Sequence, residues 1–184
     1  MHMPDMPILT LHGVFLDVLG IGVLLQGDSG TGKSELALSL INHGHRLIAD
    51  DAVEFIQVGD DTIIGRCPEM LQDFLEVRGL GILNIRVMFG DSAIKENKRL
   101  QLIVKVAIFS DEELLQIDRL HGMYQIQKIH DVEIPHVTIP IAPGRNISVL
   151  IESAVRNQIL KNTGYNASNE FIARQHQFLG DRES

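Results

Sequence analysis

The sequence predicts an α/β fold, a mixed β-sheet flanked by helices, with a glycine-rich loop joining one strand to the next helix. Three observations predict it. Short runs rich in Ile, Leu and Val are punctuated by glycine and acidic turns. The run Gly27-Asp28-Ser29-Gly30-Thr31-Gly32-Lys33-Ser34 lies between such a run and a segment of helical spacing. Two further segments of helical spacing close the chain.

Each element follows from local chemistry. Ile8 to His12, Val14 to Val18 and Ile21 to Gln26 read as short strands joined by tight turns at Gly13 and Gly20. The third runs straight into the glycine-rich loop. Lys33 to His43 places Leu36, Leu40 and Ile41 on one side, with Gly44 as a stop, so a helix is expected there. Leu47 to Ala49 is a short strand ending in Asp50 and Asp51. Val53 to Val58 and Thr62 to Gly65 read as strands turned by Gly59-Asp60-Asp61. Between Phe74 and Asn84, Gly79 and Gly81 suggest a loop, with a short helix starting near Leu83. Leu100 to Phe109 is a strand. Ile139 to Asn146, with Pro140, Pro143 and Gly144, reads as a rigid turn entering a helix over about Asn146 to Asn162, ended by Gly164. A last helix runs roughly from Ala167 to Phe178. No repeat, low-complexity tract or linker is visible, so one domain is expected over 1–184.

Composition excludes several classes. Apolar residues make up 45% and charged residues 22%, which suits a globular chain with a core. A formal net charge of −8 argues against gripping nucleic acid or an anionic membrane through bulk charge. No apolar run approaches the ~20 residues a membrane span needs, and Met1-His2-Met3-Pro4 shows no secretory signal. Cys67 is the single cysteine, so no intrachain disulfide can form and a reducing, cytoplasmic setting is expected.

The residues that carry chemistry cluster in three places. The glycine run satisfies G-x-x-x-x-G-K-[ST] through Gly27, Gly32, Lys33 and Ser34. Glycines let backbone N–H groups of Asp28, Ser29, Gly30 and Thr31 turn toward a phosphate. The unpaired amides at the start of the helix face the same anion. Lys33 can reach terminal phosphates, and the Ser34 hydroxyl is placed to hold Mg²⁺. The alternative is a glycine-rich turn that only caps a helix. Asp50 and Asp51 end an apolar strand; in a parallel sheet that strand end lies beside the loop. One carboxylate can then act as base while the other is paired or bound through water to metal; the alternative is a solvated acidic turn. Glu76-Val77-Arg78-Gly79-Leu80-Gly81 offers an oxygen ligand for metal and a guanidinium for phosphate, or else an exposed ion pair. His12 alone reads as a structural hydrogen-bonder, Arg119 as a salt-bridge partner of Asp118 or a nearby Glu, and Arg145 as a phosphate or carboxylate contact at a helix entry, or else as a solvated residue there.

Together these segments resemble the bifunctional Hpr kinase/phosphorylase family, specifically its C-terminal catalytic domain. The resemblance is carried by His12-Gly13-Val14-Phe15, the Gly27 to Glu35 loop, Leu47-Ile48-Ala49-Asp50-Asp51, Glu76 to Ile82, Pro143-Gly144-Arg145-Asn146 and Leu160 to Ala167. It implies a phosphoenolpyruvate-carboxykinase-like fold. It also implies phosphorylation of a serine of Hpr from ATP or pyrophosphate, and removal of that phosphate by inorganic phosphate. Lys33 is then the donor-phosphate ligand, Ser34 and Glu76 the Mg²⁺ ligands, and Asp51 the proton acceptor. His12 and Arg119 align with further catalytic positions. The Leu75 to Asn84 segment and the Pro140 to Arg145 turn match segments implicated in the reaction, the turn mainly in dephosphorylation, although the family pattern leads one to expect a basic residue near Ala142. The resemblance implies a homohexamer. Longer members carry an added N-terminal domain, so a truncated chain or a short variant is expected. Two other classes fit the loop alone: a small-molecule phosphoryl-transfer enzyme of the carboxykinase-like type, and a non-catalytic nucleotide-binding regulator.

Overall fold

A computed structural model describes residues 7–183; the Met1–Pro4 segment lies outside them. The elements, in order, are β1 (Leu9–His12), β2 (Val14–Val18), β3 (Ile21–Gln26), α1 (Lys33–Asn42), β4 (Arg46–Ala49), β5 (Ala52–Val58), β6 (Thr62–Arg66), β7 (Phe74–Val77), β8 (Gly81–Asn84), α2 (Ile85–Phe89), β9 (Asn97–Ile108), α3 (Asp111–Leu115), β10 (Tyr124–Ile129), β11 (Val132–Ile141), α4 (Ile147–Asn162) and α5 (Ala167–Glu183).

Nine strands among the described residues form one sheet, in the order β1-β5-β6-β9-β3-β2-β4, with β11 also on β9 and β10 outside β11. Strands β3, β9 and β11 are parallel; β2 is antiparallel to both β3 and β4. So β4 points the same way as β3 but is one strand removed from it. The expectation of a parallel sheet is therefore met in direction, not in adjacency. The consequence that matters is kept: β3, β4 and β11 end on the same edge. The loop after Gln26, the pair Asp50-Asp51 and the turn Ala142–Asn146 all lie along it.

The sheet changes partners at a seam. β1 runs into β2 through Gly13, and β4 runs into β5 through Asp50 and Asp51. β1 pairs β5 on one side of the seam and β2 pairs β4 on the other. Side chains alternate across the central strands, as the pleat requires. Val14, Leu16 and Val18 face a core shared with Leu40 and Ile41 of α1 and Ile151 and Val155 of α4. Phe15, Leu24 and Ile48 face a second core with Phe55, Ile63 and Ile134. Phe15 and Phe55 meet edge to face at 5.3 Å between ring centres, worth ~1 kcal/mol beyond the area they bury. Both faces of β2 and β3 are covered, which explains their nearly continuous apolar sequence.

Helices α1 and α4 are also joined by polar contacts. The Ser148 hydroxyl donates to that of Ser39 at 2.8 Å. Glu152 lies 2.7 Å from His43 and 3.5 Å from the buried His45. Burial pushes the Glu152 carboxyl up, but its hydrogen bonds to the two histidines outweigh that and hold it below the ordinary range. Cys67 is buried, and burial, with Asp73, Asp50 and Glu54 nearby, pushes its thiol up to about 11.

Three expectations are corrected. Phe74 to Asn84 is a two-stranded hairpin, β7 on β8, and the short helix starts at Ile85. The glycines sit at its turn, where Leu80 N–H bonds the Val77 carbonyl at 3.0 Å. Ile139 to Ile141 belong to β11, paired with Val106 to Ile108, so the rigid turn begins only at Ala142. The last helix continues to Glu183. Sequence patterns assign nothing between Phe109 and Ile139, where α3, β10 and most of β11 stand.

Candidate active site

The loop between β3 and α1 is held largely by its own backbone. Thr31 N–H bonds the Asp28 carbonyl at 3.2 Å, and its hydroxyl donates to the same oxygen at 2.8 Å. The Lys33 ammonium donates to the carbonyls of Gly27 (2.6 Å) and Asp28 (3.0 Å). An ammonium carries three donors, so one remains for an anion. Gly32 stands in the left-handed region (φ 83°) at the start of α1, with no side chain capping the first amides. Those amides and the helix dipole face the loop's concave side. At Gly27 a side chain is excluded: a Cβ would lie 2.6 Å from the Val106 carbonyl oxygen.

The acidic pair sits on the seam, and its two members differ. Asp51 has φ 69°, a conformation uncommon outside glycine and tolerated best by Asn and Asp. Its carbonyl accepts from Gly13 N–H at 3.1 Å. Its side chain is 84% exposed and 3.9 Å from His12 Nδ1. His12 Nδ1 is also 3.2 Å from the Asp51 carbonyl oxygen, so this hydrogen bond needs the proton on Nδ1. Asp50 is half-buried, and its Oδ2 accepts from the backbone N–H of Glu76 at 2.9 Å. Burial raises its carboxyl above the ordinary range; the Glu76 hydrogen bond pulls the other way, while the nearby charges of Asp51 and Glu76 raise it further.

Glu76 comes from β7, whose alternation buries Leu75 and Val77 and leaves Phe74 and Glu76 on the open face. Arg78 follows at the turn. Among the described residues no ion pair joins Arg78 to Glu76, so the exposed pair expected as the simpler alternative is absent. The base of the hairpin is tied by Arg86, which donates to Asp73 at 2.8 and 3.1 Å and to Asp91 at 3.1 Å.

These pieces line one cleft of about 560 Å³: His12, Gly27, Ser29, Gly30, Gly32, Lys33, Ser34, Asp50, Asp51, Glu76 and Arg78, together with Gly13, Val14 and Glu35. The side chain of Thr31 and the carbonyl of Asp28 are turned into the loop's own bonding. Arg119 and Arg145 are exposed and do not line the cleft. Arg119 is in the segment between α3 and β10; Arg145 is in the turn before Asn146 caps α4. Sequence reasoning assigned no role to Glu35. An acid in a helix's first turn is an ordinary complement to the dipole, so nothing local singled it out.

Among the described residues no group of three or more His, Cys, Asp or Glu is arranged to hold a metal. The Ser34 hydroxyl and the Glu76 carboxylate nevertheless line the same cleft. That donor set suits Mg²⁺, which takes one or two protein oxygens and fills its shell with phosphate and water.

Comparison with known proteins gives consistent results. The family model described as HPr Serine kinase C-terminal domain matches residues 6–175. The chain is 53% identical over 175 residues to the HPr kinase/phosphorylase of Chromobacterium violaceum, covering 95% of this chain and 55% of that protein. It is 54% identical over 172 residues to the HPr kinase/phosphorylase of Neisseria meningitidis serogroup B, covering 94% and 54%. The solved structure of the Hpr(Ser) kinase/phosphatase from Coxiella burnetii superposes with a TM-score of 0.79 at 36% identity, covering 89% of this chain and 98% of that one. The chain spans about half the length of the curated relatives it matches.

Proposed function

Because this chain belongs to the HPr serine kinase C-terminal domain family, we propose that it phosphorylates a serine of HPr, the small phosphocarrier of the sugar phosphotransferase system. The donor is ATP or pyrophosphate. The same site removes the phosphate with inorganic phosphate, releasing pyrophosphate. The names of the relatives support this reading, and one observation of this chain carries it. An open carboxylate, Asp51, shares a cleft with the phosphate-binding loop, which a pure nucleotide binder does not need.

Phosphoryl transfer depends on positioning and on neutralising charge more than on covalent catalysis. Lys33 and the first amides of α1 bind the donor phosphates. Ser34 and Glu76 hold Mg²⁺, which supplies charge neutralisation on the transferring group when bound. Arg78 adds a guanidinium at the rim. Asp51 accepts the proton of the serine hydroxyl as its oxygen takes the phosphoryl group. In the reverse direction it returns that proton to the serine oxygen as inorganic phosphate takes the group away. His12 orients the Asp51 peptide through Nδ1. Arg119 and the Ala142–Arg145 turn, both outside the cleft wall, act from the side where a protein substrate enters, the turn mainly in dephosphorylation. The 184 residues make one catalytic unit, working in the cytoplasm as a homohexamer.

Incubation with HPr, ATP and Mg²⁺ should give phosphoserine, seen as a mass gain on HPr. Inorganic phosphate should then reverse it with release of pyrophosphate. Nucleotide binding without transfer in either direction would overturn the proposal. Turnover of a small-molecule acceptor in the absence of HPr would replace it with the carboxykinase-like reading.

A further inference from the structure

We infer that Asp50 is a positioning residue, holding the backbone of β7 so that Glu76 is presented to the cleft, and leaving the chemistry to Asp51. This rests on the reading of Glu76 as a metal ligand given above.

The hairpin β7–β8 pairs with no other strand among the described residues, and two-stranded hairpins alone are marginal in water. Something else must fix it. Leu75 and Val77 anchor one face in the core shared with α1, and Arg86 ties the base through Asp73. Neither contact reaches Glu76 itself. The direct tie there is from its own backbone N–H to Asp50 Oδ2, across 26 residues of sequence. That N–H points away from β8 and would otherwise be an open donor on a strand edge.

Asp50 is also poorly placed for a residue kept for stability alone. It is half-buried, with two further carboxylates, Asp51 and Glu76, near it. A carboxylate retained against such costs points to a role in the site. The sequence hides the division of labour, since adjacent aspartates look equivalent. The structure separates them: Asp51 is open and left-handed, whereas Asp50 is half-buried and bonded.

The test compares Asp50→Asn with Asp50→Ala. Both remove the charge; only Asn keeps an oxygen that can accept the Glu76 N–H. The Mg²⁺ concentration for half-maximal binding of a fluorescent ATP analogue should rise about tenfold more in Asp50→Ala than in Asp50→Asn, the scale typical when the partner orienting a metal ligand is lost. Hydrogen–deuterium exchange should accelerate at the Glu76 amide in Asp50→Ala and stay near the parent's in Asp50→Asn. If Asp50→Ala does not fold, Asp50→Leu, close in shape and without an acceptor, serves the same comparison. Equal Mg²⁺ shifts in both variants, or unchanged exchange at Glu76 in all of them, overturns the inference. If the parent binds nucleotide without any dependence on Mg²⁺, the metal-ligand reading of Glu76 falls instead, and the exchange data alone decide whether Asp50 positions β7.

Discussion

The loop from Gly27 to Ser34 and the hairpin β7–β8 face the same cleft, yet they are held in opposite ways. The loop is closed by hydrogen bonds between neighbours in sequence, and it is packed against β9 at Gly27. The hairpin depends on distant partners: Asp50 at Glu76, Arg86 at its base, and two side chains sunk in the core. One half of the site is therefore specified locally and the other is assembled by the fold. Asp51, on the seam between the two sheet halves, belongs to neither.

The largest expected effect tests that last placement. Asp51→Asn should slow transfer to HPr by about 10²–10⁴-fold, the range for loss of a positioned base. Nucleotide affinity should change little. Asn tolerates the left-handed backbone at least as well as Asp, so the variant removes charge without disturbing the seam. Survival of activity would show that the base lies elsewhere.

Next come two glycine substitutions that should fail for different reasons. Gly27→Ala drives a Cβ to 2.6 Å from a backbone oxygen of β9; a loss of about 1–3 kcal/mol in denaturant unfolding is expected from overpacking. Gly79→Ala meets nothing within 4 Å but stands at φ +90°; about 1–2 kcal/mol of local strain is expected. The first should weaken nucleotide binding. The second should leave it intact and raise the Mg²⁺ requirement. If both variants behave alike, the contrast between the two regions is wrong.

Arg86→Ala should be milder. It removes the tie to Asp73, whose carboxyl is held low chiefly by its hydrogen bond to Arg86. Faster amide exchange confined to residues 73–86, with little change in Tm, is the expected result. An unchanged exchange pattern would show that Leu75 and Val77 suffice.

The smallest effects are in pH dependence, and the two sides should carry opposite signs. Glu152 supports the loop side through α1, and its folded pKa lies below the unfolded one. Its contribution is present above the unfolded pKa and is lost as pH falls through the folded pKa. Glu152→Gln should therefore lower Tm at neutral pH and converge with the parent in acid. Asp50 supports the hairpin, and its folded pKa lies above the ordinary 3.8. Burying the carboxyl costs no charge penalty below that value; the penalty grows as pH rises through the folded pKa, while the bond from the Glu76 N–H is kept. Asp50→Asn should raise Tm at neutral pH, and that gain should vanish in acid. Parallel Tm–pH curves for either variant and the parent would refute the assignment of that group.

The same contrast explains what the sequence made legible. The loop and α1 were readable because glycine, lysine and helical spacing are local signals. The acidic pair was readable as a pair, but not which member is bonded, because that depends on a hairpin 26 residues away. The hairpin itself read as a loop because Gly79 and Gly81 mask a two-residue alternation only four residues long on each side. β11 was missed near Pro140, since proline argues against a central strand. β10 covers Val132 to Val137 and the Thr138 N–H still bonds the Met123 carbonyl at 3.0 Å, so the edge of β11 on that side opens only past Thr138, where the missing N–H of Pro140 is tolerated. Local chemistry reads Arg119 as a salt-bridge partner and Arg145 as a helix-entry contact, only the resemblance gives Arg119 a catalytic place, and the cleft reaches neither.

The buried thiol of Cys67 has a practical consequence. With its side chain enclosed and its pKa near 11, the chain's single cysteine is almost entirely un-ionised at neutral pH and closed to maleimides. This 184-residue chain is thus silent to thiol-directed dyes. A Leu80→Cys change at the exposed hairpin tip would create one addressable sulfur. A dye attached there would report the hairpin's motion against a silent background, with Cys67 left in place.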